Sequence, residues 1–170
     1  MVSGQRWDGS RDWYNSRWQQ LASPVRSSGL RHAAILGNHD GEGDLGRRQI
    51  MALAGRDNNV SISQTDPAGT SYYIDLYDPD GLGIAARIWM LDSNDRGCGP
   101  LRAGWGCVTS NTLAWVRHTA EELPVVPSLA FIHIPLQEFR TMWNRHNTSG
   151  TKGEPVGCPL INTRAFDILR

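Results

Sequence analysis

Hydrophobic positions along this chain follow two rhythms, short apolar runs that close on polar residues and longer stretches of helical spacing between them. Three runs have the length and boundaries of buried strands: His32–Leu36 closed by Gly37, Ile84–Leu91 closed by Asp92-Ser93, and Ser128–Ile132 closed by His133. Val60–Gln64 alternates, and Ser71–Tyr77 has the alternating aromatic character of a strand with one exposed face. Asp78-Pro79-Asp80-Gly81 between them is a turn, because Pro presets φ and Gly supplies the unusual one. Helical spacing appears in four places. Ser10 caps a first helix carrying Tyr14, Trp18 and Leu21, which Pro24 ends. Trp7 and Trp13 add aromatic bulk beside it, read as core packing rather than as a ligand-stacking surface. Leu45–Ala54 forms a second helix with Ile50, Leu53 and Ala54 on one side and Gly55 as its C-terminal cap. Thr109 or Ser110 caps a third with Leu113, Val116, Ala120 and Leu123, stopped by Pro124, and a fourth pattern begins near Asn162 with Phe166 and Leu169. Met142–Val156 is polar and Gly-rich and reads as a surface loop.

Buried strands alternating with helices predict an α/β protein whose sheet is covered on both faces, with mixed strand directions because the Tyr72 region reads as an antiparallel neighbour. At 170 residues the chain has room for one domain with a real core. Ligands in open α/β sheets bind beyond the carboxyl ends of strands. All three predicted strands carry polar groups there: Asn38-His39-Asp40, Asp92-Ser93 and His133.

Charge removes some function classes. The formal net charge is zero, so nothing electrostatic draws the chain to nucleic acid or to an anionic membrane surface. Of seventeen basic residues only Lys152 is a lysine, a bias read as compositional rather than as an arginine patch. No stretch approaches the ~18–20 consecutive apolar residues of a membrane span, and Met1–Arg6 does not lead into the apolar segment of a secretory signal. None of Cys98, Cys107 and Cys158 forms a C-x-x-C pair, which argues against a zinc ribbon. Cys98 and Cys107 bracket a Gly-rich loop, as a disulfide if the protein is exported or as two free thiols.

The strand-end residues suit metal-assisted chemistry. A carbonyl oxygen from Asn38 and an imidazole from His133 suit a divalent ion of intermediate hardness such as Mn, Fe or Zn. His39, next to Asn38, is placed to face a bound phosphoryl group and protonate its leaving oxygen. Asp40 is placed to accept the other N–H of that imidazole. His32, His118 and His146 are read as structural or solvated.

Gly37-Asn38-His39-Asp40 resembles the Gly-Asn-His-Asp/Glu block of calcineurin-like metallophosphoesterases, which include purple acid phosphatases. Phe131-Ile132-His133-Ile134-Pro135-Leu136-Gln137-Glu138 resembles a segment of the purple-acid-phosphatase-like subgroup of plants, algae and fungi. Leu91-Asp92-Ser93, Gly104-Trp105-Gly106 and Gly153-Glu154-Pro155 with Cys158 are similar to the same subgroup. The resemblance implies a metallophosphoesterase-type β-sandwich of mixed sheets flanked by helices, with residues 1–170 as one partial domain. It implies hydrolysis of phosphate monoesters, in small molecules or phosphoproteins, by a metal-bound hydroxide at two Fe, Mn or Zn ions about 3.5–4 Å apart. Asn38 and His133 would bind one of the two metals, His39 would contact the phosphate, and Asp40 would orient His39. No nucleic acid or membrane partner is implied.

The sequence departs from that pattern in ways that matter. Ahead of Gly37, where the family's first strand would lie, it has no Asp-x-His or Asp-x-Gly block and no Gly-Asp to bridge two metals, and it has no late Gly-His-x-His. It resembles the middle of a catalytic domain with both flanks absent, so localisation stays open. Two ligands to one metal cannot hold a dinuclear centre. The expectation is weak metal binding, slow or no turnover, and exposed apolar sheet edges. A non-catalytic remnant of the same fold is the alternative reading.

Overall fold

The structure is a computed structural model that describes residues 6–57, 62–98, 103–145 and 148–170. Its centre is one four-stranded mixed sheet in the order β1 (Gln64–Thr65), β2 (Tyr72–Tyr77), β3 (Ile84–Leu91), β4 (Ser128–Ile132). The first two pairings are antiparallel and β3·β4 is parallel, so the strand directions are mixed and the Tyr72 strand is an antiparallel neighbour, as the sequence predicts. Around it stand α1 (Trp13–Ser28), α2 (Arg47–Asp57), α3 (Ser110–Glu122), α4 (Gln137–Asn144) and α5 (Ala165–Leu169). The described residues form this one sheet and not the pair of a sandwich. Of the alternating stretch at 60–64, Val60 and Ser61 lie outside the described residues.

Successive side chains of a strand point to opposite faces, and that alternation builds two cores. Tyr72 and Ile74 of β2 join Met90 of β3 and pack against α1 and α2 through Trp18, Ile50 and Ala54. Tyr73, Trp89 and Leu91 point the other way, onto Leu113 and Val116 of α3 and Ala165 of α5. Asp75 and Arg87, paired across β2 and β3, are buried together: Arg87 Nε donates to Asp75 Oδ1 at 2.7 Å, and the guanidinium stacks over Tyr73 at 5.1 Å.

Five expectations need correction. His32–Leu36 is not a strand, because no neighbouring strand pairs with it among the described residues. A side chain takes one of its carbonyls instead: the Tyr72 hydroxyl donates to Ala34 O at 2.5 Å. Pro24 does not end α1. Pro24 and Gln20 both lie on the helix's exposed side, so the carbonyl that loses its donor faces water, and Gly29 in the left-handed region (φ 67°) makes the cap. Ser10 does not cap that helix either, since its hydroxyl bonds Asp8. The Asp44 carboxylate takes the N–H groups of Trp13 (3.0 Å) and Tyr14 (2.8 Å) from thirty residues away. Finally, Gly55 lies inside α2 rather than capping it, and α4 extends to Asn144, into the stretch read as a loop from Met142.

Candidate functional site

The turn at Gly37–Asp40 follows directly from the extended segment and is closed by its own residues. Asp40 folds back so that Oδ2 accepts from Gly37 N–H at 2.7 Å, and the backbone tightens into a 3₁₀ turn over Asp40–Glu42. Tyr14 of α1 donates its hydroxyl to Asp40 Oδ1 at 3.1 Å. Burial, reinforced by the Asp40 charge, pushes the Tyr14 hydroxyl pKa upward. Arg47, at the start of α2, ties this turn to the sheet. Its Nη1 donates to Gly37 O at 2.9 Å, and its Nε and Nη2 grip both oxygens of Asp92, a fully buried carboxylate one residue past β3. Such fork-to-carboxylate pairing fixes orientation as well as distance. The Asp92 N–H in turn donates to the buried Ser71 hydroxyl at 2.9 Å.

Past β4 the chain turns out of the sheet at His133. Ile134 N–H donates to Ser93 Oγ at 3.0 Å, which joins the tip of β4 to the tip of β3. His133 Nε2–H then reaches Asn38 Oδ1 at 3.0 Å, bringing together two residues 95 positions apart. A Cβ on residue 37 would lie 3.2 Å from His133 Nε2, so the absence of a side chain at Gly37 lets the imidazole approach this closely.

His39 is half exposed, and its Nδ1 lies 2.9 Å from Glu42 Oε2. The structure thus places Glu42 against His39, where the sequence assigned Asp40. The 3₁₀ turn explains the exchange: residues three apart face each other in it, whereas Asp40 is turned inward onto Gly37 and Tyr14. His118 sits on the exposed face of α3 beside Glu122, and His32 Nδ1 lies 3.2 Å from Leu30 O. His146 lies outside the described residues.

Asn38 and His39 open onto a cleft of ≈ 290 Å³ whose other walls are Glu42, Asp95, Arg96, Gly104 and Trp105. The far wall is a braced loop. Cys98 and Cys107 are disulfide-bonded, Arg96 and Trp105 form an antiparallel bridge, Gly97 N–H donates to Gly104 O at 2.9 Å, and Asn94 Nδ2 donates to Cys107 O at 3.0 Å. A Cβ at Gly106 would lie 2.4 Å from Ser93 O, so only glycine lets this loop pass against the β3 tip. Gly99 and Pro100, in the middle of the loop, lie outside the described residues.

Sequence reasoning missed Tyr14, Glu42, Arg47, Arg96 and Trp105. For Glu42 a signal existed, since a carboxylate three residues after a histidine in a turn is within reach of it. Arg47 carried no comparable mark among so many arginines.

The donors can be tested against a metal ion. Oδ1 of Asn38 and Nε2 of His133, 3.0 Å apart, match two neighbouring corners of a coordination sphere with bonds of about 2.1 Å. The count falls short, because structural and catalytic zinc sites take at least three protein ligands. Among the described residues no group of three or more His, Cys, Asp or Glu side chains could hold a metal. The present set therefore does not fit a dinuclear centre. No helix of the described residues is long and apolar enough to cross a membrane.

No family model matches the chain, and no solved structure matches it. Three proteins of Arabidopsis thaliana are similar to it over most of its length. Probable inactive purple acid phosphatase 29 is 27% identical over 171 residues, covering 86% of this chain and 44% of the relative. Probable inactive purple acid phosphatase 28 is 28% identical, covering 85% of this chain and 42% of the relative. Probable inactive purple acid phosphatase 14 is 27% identical, covering 86% and 43%. The chain spans less than half the length of these relatives. Its homologues are thus purple-acid-phosphatase-like proteins, and an α/β architecture with a mixed sheet flanked by helices fits a metallophosphoesterase fold.

Proposed function

We propose that the cluster at the strand tips is part of the phosphate-monoester site of a metallophosphatase-type domain. The observation that carries this is the meeting of His133 Nε2 and Asn38 Oδ1 at 3.0 Å, across 95 residues, beside a half-exposed histidine on a cleft. Asn38 and His133 would supply two donors to a metal, whose part would be to polarise the phosphate and generate the attacking hydroxide. His39 would face the phosphoryl group, stabilise charge on its oxygens and protonate the leaving oxygen. With Nδ1–H donated to Glu42, that acid role would use the doubly protonated ring, whose Nε2–H is left to be given to the leaving oxygen. Small phosphate esters and phosphoproteins are both within the chemistry of such a site.

Two donors hold an ion weakly. The 170 residues alone should bind Mn²⁺ or Zn²⁺ poorly and hydrolyse p-nitrophenyl phosphate slowly or not at all. Titrating Mn²⁺ into the labelled protein should broaden the NMR signals of Asn38 and His133 first, and His133→Ala should remove that local broadening. Signals that stay sharp there, or strong metal-dependent turnover by the chain alone, would refute this assignment. The donor count, together with the word "inactive" in the names of the three relatives, favours a second reading, a scaffold that binds without catalysis. Turnover restored when the chain is extended to the relatives' full length separates the two, since a scaffold stays silent.

A further inference from the structure

The part of the cleft wall that carries Arg96 and Trp105 has features that phosphate binding at His39 does not call for. Trp105 is 45% exposed on this wall, and the backbone of Gly157 backs its indole so closely that a Cβ there would lie 2.8 Å from the ring. Arg96 is more exposed still, and its Nη2 lies 3.8 Å from Oε1 of Glu42, the carboxylate that holds His39. The two are bridged partners in a loop braced by a disulfide and by Asn94 in the left-handed region at φ 58°. The fold thus holds a cation and a flat aromatic face side by side, on the same cleft as His39 and Asn38.

We propose that this cleft selects phosphate monoesters of aromatic alcohols, with Arg96 and His39 on the phosphate and Trp105 against the ring. The proposal rests on the reading that His39 faces a phosphate. A guanidinium matches phosphate oxygens in a fork that a point charge does not provide. A volume of ≈ 290 Å³ lies at the small end of ligand pockets and suits a single-ring ester better than a bulky one. Glu42 and Asp95 bring negative charge to the same walls, but each is engaged. Asp95 Oδ1 accepts from Arg96 N–H at 2.8 Å, and Glu42 faces both His39 and Arg96. The exposed Glu42–Arg96 contact is weak enough for a phosphate dianion to displace it.

Calorimetric titration of the 170-residue chain with inorganic phosphate and with phenyl phosphate, without metal, tests the proposal. Phenyl phosphate should bind about three- to tenfold more tightly than phosphate, the range that ring stacking supplies. Trp105→Ala should erase that preference and leave phosphate itself unchanged. Arg96→Ala should weaken both ligands by about tenfold, and Arg96→Lys should recover part of the loss. Equal affinity for the two ligands, indifference to Trp105→Ala or to Arg96→Ala, or no binding of either ligand would each overturn it. His39→Ala reports on the underlying reading. Weakened phosphate binding in that variant with no effect of Trp105→Ala sinks the aromatic preference and leaves the phosphate site standing. Phosphate affinity that is unchanged in His39→Ala, with the aryl preference intact, sinks the role of His39 and keeps the preference.

Discussion

β3 and β4 are parallel neighbours that end at the same level, yet they live in different environments. β3 has a strand on each edge and an apolar cluster on each face, and Leu91 at its end is wholly buried. β4 pairs only with β3 among the described residues, and its Leu129 and Phe131 are 63% and 49% exposed. The extended segment before Gly37 resembles β4 in this respect, since no strand pairs with it and its apolar side chains before Leu36 are half buried. Both candidate donors, Asn38 and His133, follow these less covered segments. What places them is therefore a set of polar cross-braces anchored on the β3 tip, namely Arg47 with Asp92, Ser93 with Ile134, and Asp40 with Gly37. Apolar packing builds the platform, and hydrogen bonds aim the site.

The largest test of that division is Arg47→Ala. It should cost about 3–5 kcal/mol, because it leaves the buried Asp92 carboxylate without its counter-charge, with the Asn94 N–H as a neutral donor, and frees Gly37 O. Urea unfolding measures the loss, and the amide signals of Asn38 and His133 should shift even where the protein stays folded. A cost below about 1 kcal/mol, the size of an exposed ion pair, would mean that the Gly37 turn is held by something else.

Paired substitutions test the platform next. Leu91→Ala in β3 should cost about 2–5 kcal/mol through lost burial and the cavity left behind. Leu129→Ala, one strand over, should stay within about 0.5 kcal/mol because its side chain is already largely in water. Similar costs for the two would erase the distinction between closed and open strands.

The same distinction governs how much was legible in the sequence. Apolar runs at Ile84–Leu91 and Ser128–Ile132 announced β3 and β4, and the alternating aromatics announced β2, because strand periodicity survives whatever covers the sheet. Thr109 was one of two candidate caps for α3, and it is the one whose hydroxyl accepts from Thr112 N–H. His32–Leu36 failed as a strand because apolarity marks burial but does not supply a hydrogen-bonding neighbour. At the site, the meeting of Asn38 and His133 was legible from their shared position at run ends. The tertiary ties were not: Asp44 capping α1, Arg47 spanning Gly37 and Asp92, and Tyr14 on Asp40 join residues whose separation no local pattern records.

Tyr14 links the two environments, with its ring in the closed cluster and its hydroxyl on the open turn at Asp40. Tyr14→Phe should cost about 1 kcal/mol near pH 8, the worth of one hydrogen bond. The pH dependence is the more informative readout. Burial, and then the Asp40 charge, raise the folded-state pKa of Tyr14 above the unfolded value of about 10. The hydroxyl's contribution is therefore complete below pH 10. It fades as pH rises further, because the unfolded chain gives up that proton first. Phe has no proton to give up, so the stability difference between the natural protein and Tyr14→Phe should shrink from pH 9 to pH 11. Tyr73, whose pKa is also raised chiefly by burial, is present in both proteins and cancels from the difference. A difference that stays constant across that range would mean the Tyr14 hydroxyl is not buried against Asp40, and the turn carrying Asn38 and His39 would lose its link to the closed side.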